Sequence, residues 1–155
     1  MARKALIAAC YLMAISLPAW SAGSENDASP SRSDPDFVAG EKAVKAEQWP
    51  VAVKYLTNVV QRDAASADAW NYLGYSYRHM NEMDKSFAAY DKALQINPKH
   101  RNAREYLGEA YLQAGRLEDA EGQLKALDKL CFLPCEQYRE LKEKIADYKK
   151  AHVAK

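Results

Sequence analysis

Outside the first ten residues the chain has two cysteines, Cys131 and Cys135, in the stretch LCFLPC. Two thiols this close in sequence can form a disulfide, exchange electrons as a dithiol, or hold a soft metal ion. The common exchange spacing is C-x-x-C at a helix start in a βαβ unit, and this chain shows neither that spacing nor that unit. A copper-type site needs a third soft or imidazole ligand, and no His or Met sits beside the pair. His79, His100 and His152 are the only histidines, and none lies at a metal-ligand spacing from a cysteine or carboxylate. No G-x-S-x-G, H-E-x-x-H or phosphate-binding glycine loop occurs. These observations predict no catalytic residues, no metal, no cofactor and no enzymatic activity. Which of the three thiol readings holds depends on compartment and on the elements around the pair.

The compartment is written in the first twenty-two residues. Arg3 and Lys4 form a short basic region, Ala5 to Leu17 is an almost unbroken apolar run, and Pro18 ends it before small residues Ala19, Ser21 and Ala22. This is the layout of a secretory signal peptide over 1–22, too short for a membrane span. The IAAC ending at Cys10 imitates a lipidation site, but too little apolar sequence precedes it. Removing the segment takes Lys+Arg from 22 to 20 against 21 Asp+Glu, a net charge of about −1. A near-neutral chain without a basic stripe argues against nucleic-acid binding, and without the signal no membrane contact is expected. Cys10 leaves with the signal, and an even pair in an exported chain favours the disulfide.

Polar residues 23–36, with two prolines and no apolar period, read as a flexible leader. From Phe37 onward the chain is rich in helix formers and no stretch alternates as a strand would. Gly40, Gly74 and Gly108 are each 34 residues apart. Ala52, Ser86 and Ala120 keep the same register, as do Leu56, Tyr90 and Leu124, and Trp49, Met83 and Leu117. A fixed period of this length means stacked supersecondary units, none able to bury its apolar face alone.

The middle unit carries W-x2-L-G-x2-Y in Trp70, Leu73, Gly74 and Tyr77, followed by Ser86, Tyr90, Ala93 and Pro98. It closely resembles the tetratricopeptide repeat. The third unit keeps Leu107, Gly108, Tyr111, Gly115, Ala120 and Leu124 but has Arg104 at the Trp position. The first is degenerate, with Asp36 and Ala43 replacing Trp and Tyr. The resemblance covers about 100 of the 155 residues. It implies an all-α solenoid domain over 37–150, with three helix-turn-helix repeats at about 33–66, 67–100 and 101–134. Tyr138, Leu141, Ile145 and Tyr148 lie on one helical stripe, which predicts a capping helix over about 134–150.

In arrays of this family the first helix of each repeat lines an inner groove. The matching positions here are Phe37, Glu41, Val44 and Lys45; Asn71, Tyr75, Arg78 and His79; and Glu105, Glu109, Leu112 and Gln113. The resemblance therefore implies a non-catalytic adaptor or scaffold whose partner is a protein or peptide, bound as an extended segment or a helix. Some members clamp a terminal carboxylate with basic side chains. Phe37, Glu41, Tyr72, Asn102 and Tyr106 occupy those positions here, so that mode is not implied. Similarity to short exported proteins of this layout implies the bacterial periplasm.

Set in these repeats, the cysteines acquire a geometry. In an unbroken helix residues i and i+4 keep their Cβ atoms about 5–6 Å apart, while a disulfide needs about 4 Å. Pro134 removes one helical hydrogen bond and pushes Leu133 out of helical geometry. Helix B of the third repeat should then end near Cys131 and the cap begin near Pro134, letting the sulfurs meet as a corner brace. Two other readings remain, a thiol-redox or copper-handling protein using this pair and self-association through the tyrosine-rich surface.

Overall fold

A computed structural model describes residues 30–153, so the proposed signal peptide and the leader up to residue 29 lie outside the described residues. A 3-10 turn at Pro30–Ser33 leads into α1 (Pro35–Lys45), followed by α2 (Trp49–Arg62), α3 (Ala67–His79), α4 (Met83–Ile96), α5 (Arg101–Gln113), α6 (Leu117–Leu130) and α7 (Glu136–Val153). The helices pair as α1–α2, α3–α4 and α5–α6, and α7 closes the array against α5 and α6. This is the all-α solenoid of helix-turn-helix units that the resemblance implies, closed by the C-terminal cap that the stripe of Tyr138, Leu141, Ile145 and Tyr148 predicts.

The leader reading needs a correction at its end, because residues 30–36 are folded. Asp34 caps α1 by accepting from the Asp36 amide at 2.8 Å, and Pro35 supplies the fixed φ of the first helical turn. Arg62 then reaches Asp34 and Asp36, both at 2.8 Å. The acidic pair that reads as linker composition is thus a helix cap tied to the next helix.

Each hairpin turns in the same way. The amides of Gln48, Glu82 and Arg116 donate to the carbonyls of Ala43, Tyr77 and Tyr111, five residues back. The residue before each is left-handed: Glu47 at φ 55°, Asn81 at 60° and Gly115 at 75°. This is the closing pattern that suits Gly, or less readily Asn. Glu47 is neither, and its backbone is strained there.

Within the first two hairpins a glycine sets the approach of the helices. A Cβ on Gly40 would stand 2.7 Å from Leu56, and one on Gly74 would stand 2.7 Å from the Tyr90 ring. In the third repeat the neighbour changes: a Cβ on Gly108 would meet Leu141 of α7 at 2.6 Å, while Leu124 is only half-buried. The cap inserts its leucine into a slot that the first two repeats fill from their own second helix. Leu56, Leu73, Tyr90, Leu107, Leu127 and Leu141 are essentially inaccessible. Each such side chain stabilises the fold by roughly 1.5–3 kcal/mol.

At the corner between the last two helices, α6 ends at Leu130 and α7 begins at Glu136. Cys131 is the residue after the last turn of α6, its amide donating to the Leu127 carbonyl, and it is disulfide-bonded to Cys135 with Cα atoms 5.7 Å apart. Between them Phe132 and Leu133 project into solvent. Among the described residues no helix is long and apolar enough to cross a membrane.

Candidate functional site

The odd-numbered helices meet their next-but-one neighbours, α1 with α3, α3 with α5 and α5 with α7, and so form the inner layer. Twelve positions on α1, α3 and α5 are groove candidates, and the structure divides them by register. Phe37, Asn71 and Glu105 are buried, as are Val44 and Leu112 seven residues further along their helices. Arg78, at that same register, keeps only 11% of its side chain exposed. Residues seven apart share one stripe of a helix, and this stripe faces the neighbouring inner helix. The expectation that Phe37, Asn71, Glu105 and Leu112 line an open groove is therefore corrected. Glu41, Tyr75 and Glu109 lie half-buried at the next register, and Lys45, His79 and Gln113 are exposed.

A polar ladder runs across these inner helices. Tyr72 donates through its hydroxyl to Glu41 at 3.2 Å, and Lys45 pairs with Glu41 at 3.1 Å. Further along, Arg78 Nη2 meets Glu109 Oε2 at 2.7 Å, and Lys144 of the cap meets Glu109 Oε1 at 3.0 Å. One carboxylate thereby joins three consecutive inner helices. Beside it, burial and the nearby Glu140 carboxylate push the Glu105 carboxyl well above the usual range.

At the first hairpin end of this layer is a hollow of about 390 Å³, lined by Val44, Lys45, Glu47, Trp49, Tyr72, Tyr75, His79 and Tyr106. Its rings touch one another. Trp49 and His79 stack at 4.3 Å with planes 14° apart, His79 lies 4.5 Å from Tyr75, and Tyr75 lies 4.8 Å from Tyr106. Arg78 sits over the Tyr75 ring at 5.1 Å. Burial pushes the Tyr72 hydroxyl up to about 12, with Glu41 adding to the shift. Burial and the Arg78 charge lower the His79 imidazole from its ordinary value. The hollow can receive a side chain, apolar on its walls and polar at its rim.

Trp49 was not among the groove candidates. Its register is held by Met83 and Leu117 in the other repeats, which makes it look like core spacing. Tyr72 and Tyr106 had a signal, since both fall at clamp positions, but with aromatic rather than basic chemistry.

A larger hollow of about 490 Å³ lies where α3 and α5 begin, among Arg32, Asp68, Lys99, His100, Asn102 and Gln137. Its centre is structural. His100 accepts from the Ala103 amide through Nδ1 at 3.2 Å, capping α5, and its Nε2 faces Asp68 at 3.1 Å. Arg32 meets the other Asp68 oxygen at 2.8 Å. Hydrogen bonds from His100 and Arg32 hold Asp68 down at about 2 despite its partial burial. His100 is thus the N-terminal cap of its helix. His152 stacks on Tyr148 at 3.9 Å. Among the described residues no group of three His, Cys, Asp or Glu side chains is placed to hold a metal ion.

Comparison with known proteins agrees with this architecture. Residues 67–100 match a family described as the tetratricopeptide repeat, and residues 88–130 match a second family of the same description. The general transcriptional corepressor trfA of Dictyostelium discoideum is 30% identical over 86 residues, covering 54% of this chain and 6% of its own length. The chloroplastic protein PYG7 of Arabidopsis thaliana is 30% identical over 79 residues, covering 48% of this chain and 26% of its own length. The chain thus spans 6% of the first relative's length and 26% of the second's. Among solved structures, the TPR2B domain of yeast Sti1 in its pHsp70 complex superposes with a TM-score of 0.69 at 18% identity, covering 76% of this chain and 95% of that one. The Yersinia enterocolitica chaperone SycD with a peptide of the translocator YopD gives 0.66 at 18% identity, covering 81% and 95%. These likenesses show a shared fold.

Proposed function

From a chain whose residues 67–130 carry tetratricopeptide repeats on that family's fold, we propose a non-catalytic adaptor or scaffold that holds a peptide or helix of another protein along its inner face. The observation that carries this reading is the ring of Trp49, Tyr72, Tyr75 and Tyr106 around the hollow at the first hairpin end. Aromatic side chains supply large contact area at low entropic cost, and such clusters are where binding energy concentrates. Yeast Sti1 and SycD, which share the fold, are described in complexes with pHsp70 and a YopD peptide. Here the clamp positions are not basic, so side-chain anchoring in the aromatic hollow takes the place of carboxylate capture.

The site of action in this proposal is the bacterial periplasm: the basic and apolar N-terminal pattern supports export, and the resemblance to short exported proteins of this layout supports the bacterial compartment. In that oxidising space the Cys131–Cys135 bond acts as a brace that fixes the angle of the cap. Photo-crosslinking in intact cells from position 113, on the exposed row of the inner face, tests the binding role. A single adduct lost on Tyr75→Ala, with helicity unchanged, is expected. An adduct that survives this change removes the groove from the account.

A further inference from the structure

The first repeat departs from its two siblings at the hollow. At the left-handed turn position the second and third repeats have Asn81 and Gly115, residues that tolerate positive φ, whereas the first has Glu47 at φ 55°. An ordinary L residue is disfavoured there by roughly 1–2 kcal/mol. Two positions later the siblings have Met83 and Leu117, and the first repeat has Trp49. Both departures line the hollow. Backbone strain retained at a cavity points to a role for the side chain that requires it.

The charges around the cavity say what that role is. Lys45 is matched by Glu41, and Arg78 by Glu109. The Glu47 carboxylate makes no ion pair or hydrogen bond with a described residue. It therefore stands as an unbalanced negative charge on the rim of an aromatic-walled cavity. Such walls attract cations through the negative faces of their rings, most strongly where water is excluded. The molecule already uses one of them this way, with the Arg78 guanidinium over Tyr75.

Deepening the groove reading, on which this rests, we propose that the hollow takes a cationic side chain of the partner, stacked on the aromatic walls and paired with Glu47. The planar guanidinium of arginine fits a ring face and a carboxylate together better than an ammonium does.

The test titrates the full chain with N-acetyl-arginine amide, the corresponding lysine amide and the uncharged citrulline amide. Binding is read by calorimetric titration, which serves the parent chain and every variant alike. Arginine should bind at least threefold more tightly than citrulline, with lysine between them. Glu47→Gly should abolish that preference while raising Tm, because it removes the charge and the strain together. Glu47→Gln should abolish the preference without the rise in Tm, and Trp49→Met should weaken arginine binding by threefold or more. Equal binding of arginine and citrulline, or no binding of either, overturns the inference, as does a preference that survives both Glu47 changes. If the probes fail while the crosslinked adduct still depends on Tyr75, the groove stands and only its cation preference falls.

Discussion

Single residues in this chain decide between space, strain and charge, and each has a measurable consequence. A Cβ on Gly74 would lie 2.7 Å from the Tyr90 ring, and Tyr90 is fully buried, so the ring has nowhere to go. Gly74→Ala should destabilise by about 1–3 kcal/mol in denaturant unfolding. Gly122, in the middle of α6, has nothing within 4 Å of an added Cβ, and Gly122→Ala should stabilise by about 0.5–1 kcal/mol through helix propensity alone. Asp68 gives a pH dependence of definite sign. Its carboxyl is held at about 2 in the folded chain by His100 and Arg32, against an ordinary value near 3.8. The stabilisation is therefore complete above the unfolded value and is lost as pH falls through about 2, amounting to at most about 2 kcal/mol. Asp68→Asn should remove that acid limb from the stability profile.

The cap is the element whose behaviour the sequence underdetermines most. Its stripe of Tyr138, Leu141, Ile145 and Tyr148 is visible in one dimension, but its insertion beside Gly108 is not. Leu141 occupies there the place that Leu56 and Tyr90 take beside Gly40 and Gly74. Leu141→Ala should accordingly cost about 2–5 kcal/mol, a full core truncation rather than a surface change. The seam between α5 and α7 also carries the Glu105 carboxyl, raised by burial and by Glu140. A folded value above the unfolded one means that folding retains a proton, so this seam weakens as pH rises above the ordinary carboxylate range. Glu105→Gln should flatten that loss and leave the neutral-pH fold intact, as read by thermal unfolding between pH 5 and pH 9. Reducing the Cys131–Cys135 bond should lower stability by about 2 kcal/mol if it acts as a brace across a short loop.

Across the whole molecule, what was legible in one dimension was whatever repeats every 34 residues. The spacing of Gly40, Gly74 and Gly108 places the hairpins, and Pro134 places the last corner. What was not legible depends on how the repeats rotate against one another. The stripe through Phe37 and Val44, Asn71 and Arg78, and Glu105 and Leu112 looks solvent-facing in any one helix and is covered only when the next inner helix docks. Trp49 and Glu47 escaped notice because their repeat is degenerate and neither is the residue its register favours, and both line the inner hollow. The most direct test of an inner-face binding role compares photo-crosslinkers at Lys45, on that face, and at Lys92, exposed on α4 of the outer layer. The account predicts a discrete adduct from position 45 that disappears with Tyr75→Ala, and none from position 92. An adduct from position 92 alone, or one from position 45 indifferent to Tyr75, would contradict it.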